Sequence, residues 1–156
     1  MQQLKNAISN ALHNFEGNGL TVVHKNGKIY VSMENKLLFD SGSWAVGSEG
    51  KKAVEQLAGV LSENKDINVL IEGHTDDVPY NGTTLIDNWD LSVKRATAIV
   101  RILKDKGVSP TQITAAGRSE FMPVDTNATT EGKAKNRRIE IILAPNLDEI
   151  SKLLKE

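Results

Sequence analysis

The sequence predicts an α+β domain, one sheet covered by helices, and three features carry that expectation. Val54, Leu57, Ala58 and Leu61 recur at helical spacing, as do Val93, Ala96, Ile99, Val100 and Leu103. Ile67, Val69 and Ile71, and later Ile139, Ile141 and Leu143, alternate with polar or less buried positions as strand residues do. Helical and strand-like stretches interleave, and the chain of 156 residues, 39% hydrophobic and 25% charged, suits one domain with a real core.

The elements follow in order. Leu4, Ile8, Ala11, Leu12 and Phe15 line one face of an amphipathic helix expected to end near Glu16-Gly17-Asn18-Gly19. Residues 20–24 and 29–33 are β-prone and flank Lys25-Asn26-Gly27-Lys28, where Asn-Gly suits a tight type I′ turn, so a β-hairpin is expected. Ser48 is the expected N-cap of the next helix. Residues 66–72 read as a strand that delivers a polar loop, Gly73-His74-Thr75-Asp76-Asp77-Val78-Pro79, to its C-terminal end. Asn88 caps the following helix, which stops at Lys104-Asp105-Lys106-Gly107, cations and then glycine. A connection through residues 111–117 leads towards a closing strand, and Asn146 with Glu149 forms a capping-box-like start for a last short helix. The segment 77–87, rich in Gly, Asn, Thr and Pro, is the insertion-like stretch, a place where function often sits.

Charge and composition exclude several classes. With 19 basic and 20 acidic residues the net charge is -1, so nothing favours nucleic-acid phosphate or an anionic membrane surface as partner. The absence of cysteine rules out disulfides and thiolate metal sites without choosing a compartment. The start lacks the apolar core of a secretory signal, and no run approaches the roughly 18 apolar residues of a spanning helix, which leaves a cytosolic protein or a piece of a longer one.

The chemistry-bearing residues cluster in Glu72-Gly73-His74-Thr75-Asp76-Asp77 and in Asn88-Trp89-Asp90-Leu91-Ser92-Val93-Lys94-Arg95-Ala96. His74 invites a metal or catalytic reading, but a metal wants about three or four convergent ligands, and neither His13 nor His24 has a context that brings it to His74. A structural histidine at a strand end is the expectation. Ser92 near Asp90 has no histidine base at recognisable spacing, so no enzyme, metal or cofactor is predicted. Trp44 and Trp89 are read as boundary packing in preference to sugar-stacking residues. On the residues alone, Asp76 and Arg95 are either a structural ion pair or two charges held for a ligand, and Asn88 is an N-cap, a ligand contact or both.

These two pieces resemble the Gly-His-Thr-Asp signature and the Asn-x-x-Leu-Ser-x-x-Arg-Ala helix of OmpA-like domains, and residues 117–123 with Asn136-Arg137-Arg138-Ile139-Glu140 resemble that family's closing motif. The similarity runs over residues 38–143. The Asp76-Asp77-Val78-Pro79 form and the longer loop to Asp87 are similar to the MotB subtype, and Leu38-Phe39-Asp40-Ser41-Gly42 resembles a strand-end motif in which glycine at 42 replaces a side chain that relatives often use near the ligand. The resemblance implies a β-α-β-α-β sandwich with a mixed sheet, and non-catalytic binding of peptidoglycan through an aspartate and an arginine that grip the ammonium and carboxylate of a diaminopimelate residue in the stem peptide. By motif these are Asp76, with Asp77 left open, and Arg95; Thr75 and Asn88 would bond the ligand backbone, and Arg137 a peptide carboxylate or carbonyl. The residues agree, because Arg offers a planar fork for a carboxylate, and Asn88 and Arg95, about two helical turns apart, share one helix face. Arg137 and Arg138 begin an alternating strand and point apart, with Arg137 taken as the functional member and an ordinary solvated charge expected for at least one of them.

The expected organisation is an N-terminal amphipathic helix or linker over 1–19, the binding domain over 20–145 and a C-terminal helix over 146–156. The resemblance further implies a periplasmic location, with a membrane tether outside this chain. The rival reading keeps the fold and makes the chain an assembly module, a homodimer for example, that uses the stripes of the first and last helices for protein partners.

Overall fold

The computed structural model describes residues 1–146; the helix expected over 146–156 lies, after Asn146, outside the described residues. The elements are α1 (Gln2–Ala11), β1 (Leu20–Lys25), β2 (Lys28–Glu34), α2 (Asn35–Leu38), α3 (Ser48–Leu61), β3 (Ile67–His74), α4 (Asn88–Asp105), a 3-10 turn at Pro110–Gln112, β4 (Ile113–Gly117), α5 (Thr130–Asn136) and β5 (Arg138–Pro145). The strands form one mixed sheet in the order β1-β2-β5-β3-β4. Only β3 and β4 run parallel, joined by the α4 crossover that a parallel pair requires.

The alternation seen in the sequence sorts the sheet into two faces. Ile29, Val31 and Met33 of β2, Ile67, Val69 and Ile71 of β3, and Ile139, Ile141 and Leu143 of β5 are buried in one core with Val54, Leu57 and Leu61 of α3 and Ile99 and Leu103 of α4. Tyr30, Ser32, Leu70, Glu72, His74, Glu140 and Ile142 take the intervening positions on the opposite face. Each large aliphatic side chain removed from water contributes about 1.5–3 kcal/mol. Leu4, Ile8 and Leu12 join the same core, so α1 is packed into the domain. At the hairpin, Asn26 and Gly27 take φ of 54° and 75°, as a type I′ turn needs.

Several local expectations are corrected. α1 ends at Ala11, and residues 12–16 close in turns through the Phe15 N–H to Leu12 carbonyl bond. Gly47, not Ser48, is the cap of α3: its N–H bonds the Leu38 carbonyl, which holds residue 47 extended and makes Ser48 the first helical residue. Asp87, not Asn88, caps α4, accepting from the Asp90 N–H at 3.1 Å. Gly73 and His74 belong to β3 and not to the loop, because both pair with β5. The segment read as a strand end at 38–42 is instead the end of α2 followed by a bridge from Phe39 to Val46. The connection read over 111–117 contains β4, an edge strand whose Thr-Ala-Ala composition carries no apolar alternation. Neither α5 nor α2 was expected, since both are too short to show a helical period.

Candidate functional site

β3 delivers Thr75 and Asp76 to the mouth of an open pocket of about 970 Å³, and α4 lays Asn88, Leu91 and Arg95 along its wall. The wall can stand this close because residue 73 is glycine: a Cβ there would run into the Ser92 carbonyl oxygen of α4. The remaining lining comes from Asn35 to Gly42, from Val78 to Gly82 in the 77–87 loop, and from Ala134 and Arg137 of the α5 end. All five residues singled out in the sequence, Thr75, Asp76, Asn88, Arg95 and Arg137, therefore line one pocket. Asp77 is exposed and does not line it.

The pairing inside the pocket is not the Asp76–Arg95 ion pair that was one of the two readings left open. Asp76 bonds neither Arg95 nor solvent alone: its Oδ2 accepts from Arg137 Nη1 at 2.6 Å and its Oδ1 from the Val78 N–H at 3.0 Å. Arg95 is held by other means. Its Nε donates to the Ser43 carbonyl at 2.9 Å, and its guanidinium lies 5.3 Å from the centroid of the Phe39 ring. Among the described residues no other hydrogen bond engages its guanidinium, although the residue is only 4% exposed. Burial, reinforced by the neighbouring Arg137 and opposed by Asp76, pushes the Arg95 pKa down to about 10, so it stays cationic at neutral pH. With Lys36, Arg95 and Arg137 against Asp40 and Asp76, the lining has one more cation than anion.

The supporting contacts explain the shape. The Ser43 N–H bonds the Asp40 carbonyl and Gly42 takes φ of 69°, so the side chain missing at 42 is the condition for the turn that presents the Ser43 carbonyl to Arg95. Asn88 Nδ2 donates to the Val78 carbonyl at 3.0 Å and ties the loop to α4. Thr75 Oγ1 donates to the Asp76 carbonyl, and the Thr75 N–H bonds the Ser119 carbonyl. Asn35 lines the pocket with both atoms of its amide buried and without a hydrogen-bond partner among the described residues.

Arg138 overturns the expectation of a solvated charge. It is buried and donates to Glu140, to the Asn136 carbonyl and to the Met122 carbonyl, while Arg137, pointing the other way, takes Asp76. His74 is buried with Nε2 at 3.2 Å from Glu72 Oε1. Glu140 joins them, so the convergent partners that the sequence did not find for His74 are two glutamates, with ligand atoms within 4.8 Å of one another. Arg118 bonds Glu72 and Arg138 bonds Glu140, so each carboxylate already has a cation, and the cluster is an ion-pair network beneath the pocket. Burial and the charge of Arg138 lower the His74 pKa against the pull of Glu140 and Glu72, keeping the imidazole neutral. Ser92 is fully buried, donating to the Trp89 carbonyl and accepting from the Ser119 N–H. Phe39, Ser43 and Tyr80 were not singled out in the sequence, although Phe39 lay within the 38–42 motif and Tyr80 in the insertion-like loop; Ser43 left no signal there.

The domain is an α+β sandwich with a charged, concave pocket at a strand end, the kind of place where small ligands and peptides are commonly bound. The chain matches the OmpA family over residues 38–137 and belongs to it. It is 31% identical over 118 residues to Motility protein B of Bacillus subtilis (strain 168), covering 75% of this chain and 45% of that protein. It is 33% identical over 109 residues to the Peptidoglycan-binding protein ArfA of Mycobacterium bovis, covering 65% of this chain and 32% of that one. Among solved structures it is similar to the cell wall anchor of the T6SS from Pseudomonas aeruginosa, with a TM-score of 0.81 and 30% identity over 88% of this chain and 96% of that one. The chain spans about half the length of the first curated relatives it matches, between 45% and 57%. No helix among the described residues is long and apolar enough to cross a membrane.

Proposed function

We propose that this domain binds peptidoglycan without cleaving it, and so anchors a bacterial envelope protein to the cell wall. The observation that carries the reading is Arg95: a buried guanidinium, fixed on one edge by the Ser43 carbonyl and stacked near Phe39, whose remaining donors no protein group engages among the described residues. Such a fork suits a carboxylate taken bidentately. Asp76, which accepts from Arg137 Nη1 and from the Val78 N–H, keeps lone pairs for an ammonium, since a carboxylate accepts about four hydrogen bonds. A group carrying both charges, the free end of diaminopimelate in a stem peptide, matches that arrangement, with Thr75, Asn88 and Arg137 on the ligand backbone. The names of ArfA and of the T6SS anchor point the same way. The periplasm and a tether elsewhere in the parent protein follow from this reading.

Of the two stripes on which the assembly-module reading relies, that of α1 is packed into this domain's own core, and that of the last helix lies outside the described residues. Calorimetric titration with a diaminopimelate-containing stem peptide, beside the same peptide carrying lysine at that position, tests the proposal. Binding of the first with clearly weaker binding of the second is expected, because lysine lacks the carboxylate that Arg95 would hold. Absence of heat with both at saturating concentration would refute it.

A further inference from the structure

We propose that Trp89 and Phe121 form a second subsite that takes a sugar ring of the glycan to which the stem peptide is attached; the inference rests on the peptidoglycan reading above and extends it. The two rings lie 5.5 Å apart with planes tilted by 31°, one near the start of α4 and one on the turn after β4. Trp89 is 48% and Phe121 62% exposed, with Val93, one helical turn beyond Trp89, and Met122 also open to solvent. Neither ring lines the pocket. Apolar side chains gathered in water at this density mark a surface that meets something.

The mount of these rings is held by hydrogen bonds and is shared with the pocket. Ser119 takes the unusual φ of 53° for a non-glycine residue, its N–H bonds Ser92 Oγ at 3.1 Å, and its carbonyl accepts from the Thr75 N–H at 2.9 Å. The Phe121 N–H closes on the Arg118 carbonyl, and the Met122 carbonyl is held by Arg138 at 3.0 Å. On the other side, Ser92 Oγ bonds the Trp89 carbonyl, and Trp89 directly follows Asn88 on the pocket wall. The aromatic pair is thus tied to the pocket at two points, Thr75 and Asn88.

The occupant follows from chemistry and size. A stem peptide held in the pocket is covalently joined to a sugar only a few residues away, so a pyranose lies within reach of the pocket rim. The C–H faces of a pyranose pack on aromatic faces, and its hydroxyls need polar neighbours; Asp90 and Glu120 are the sequence neighbours of the two rings. Trp89, Val93, Phe121, Met122 and Val124 are a handful of exposed apolar side chains, whereas a stable protein interface takes about 20–30 residues a side.

The test compares calorimetric affinities for a free diaminopimelate stem peptide and for the same peptide carried on a muramyl disaccharide. The disaccharide-linked peptide binds the unaltered domain about tenfold more tightly than the free peptide. In Trp89→Ala and in Phe121→Ser that advantage falls below about twofold while free-peptide affinity is unchanged. Phe121 points largely into solvent, so its substitution reports on the site even if Trp89→Ala lowers stability. A further readout is indole fluorescence in a Trp44→Phe background, which the disaccharide ligand shifts and the free peptide does not. Equal affinity for both ligands, or an advantage that survives both substitutions, overturns the proposal. So does a dimer in sedimentation that Phe121→Ser dissolves, which would give the surface to a second copy. Loss of free-peptide binding alone, with Trp89-dependent binding of the disaccharide ligand retained, would sink the pocket reading and leave this subsite standing; failure of both ligands would sink both.

Discussion

Asp76 closes on Arg137 at 2.6 Å, and Arg95, on the facing wall, is bonded to the Ser43 carbonyl instead. Asp76, Arg95 and Arg137 therefore share the pocket without the nearer-in-sequence pair, Asp76 and Arg95, collapsing on itself. Arg95→Ala is expected to weaken stem-peptide binding by about 2–5 kcal/mol, because the ligand carboxylate would then be buried without its partner. Arg95→Lys should recover only part of this, since an ammonium keeps the charge and loses the fork. Titration calorimetry of both variants checks the order.

The Asp76–Arg137 pair lies half in solvent on the arginine side, with side-chain exposures of 9% and 39%. A double-mutant cycle of Asp76→Asn and Arg137→Gln, read by urea unfolding, should give a coupling of about 1 kcal/mol or less, as water screens the exposed partner. A coupling of several kcal/mol would mean that the pair serves the fold first.

Stability should fall as the pH drops below neutral because of His74. Its pKa is lowered in the folded protein by burial and by Arg138, while the unfolded chain takes up a proton near 6.5. Below that value the unfolded state binds more protons, so the contribution of the neutral imidazole is present above pH 6.5 and is lost progressively towards the folded pKa. Urea unfolding followed from about pH 8 to pH 5 should show this slope, and His74→Gln should flatten it.

Gly73→Ala should destabilise the domain by about 1–3 kcal/mol, since the added methyl meets the Ser92 carbonyl oxygen and α4 has to move away from β3. The same displacement shifts Arg95 relative to Asp76, so peptide affinity should fall together with the melting temperature. A variant with native melting and native affinity would contradict the close approach.

Ile8 is fully buried under α1, so Ile8→Ala should cost about 2–5 kcal/mol of unfolding free energy. If α1 instead served a partner, the change would appear in sedimentation and not in unfolding.

Much of the frame was legible because burial writes a period into a sequence. The stripes of α3 and α4 and the alternation of β3 and β5 follow from facing one core, and the hairpin from Asn26-Gly27. Where no such period exists the reading failed: β4 has one ladder partner and small residues, α5 has Lys and Gly where a stripe would be, and α2 spans a single turn. The caps at 47 and 87 were each displaced by one residue, because the choice between adjacent polar or small residues is made by whichever backbone the neighbouring segment holds extended. Thr75 and Asp76 at a strand end and Asn88 and Arg95 on a helix face follow from local spacing, whereas Arg137 was named through the resemblance and joins them from a distant part of the chain.

The sequence by itself placed Thr75 and Asp76 at a strand end and Asn88 and Arg95 on one helix face, and its resemblance to the family added Arg137 beside the closing strand. Only the tertiary structure decided who pairs with whom. The Arg137 guanidinium reaches Asp76 because β5 lies beside β3, and Arg95 is left with donors to spare because the 39–46 turn brings a carbonyl and an aromatic ring to its other edge. Hydrogen bonds and ion pairs act over a few ångströms, and those last ångströms are set by sheet order and loop path, which no periodicity in the chain encodes.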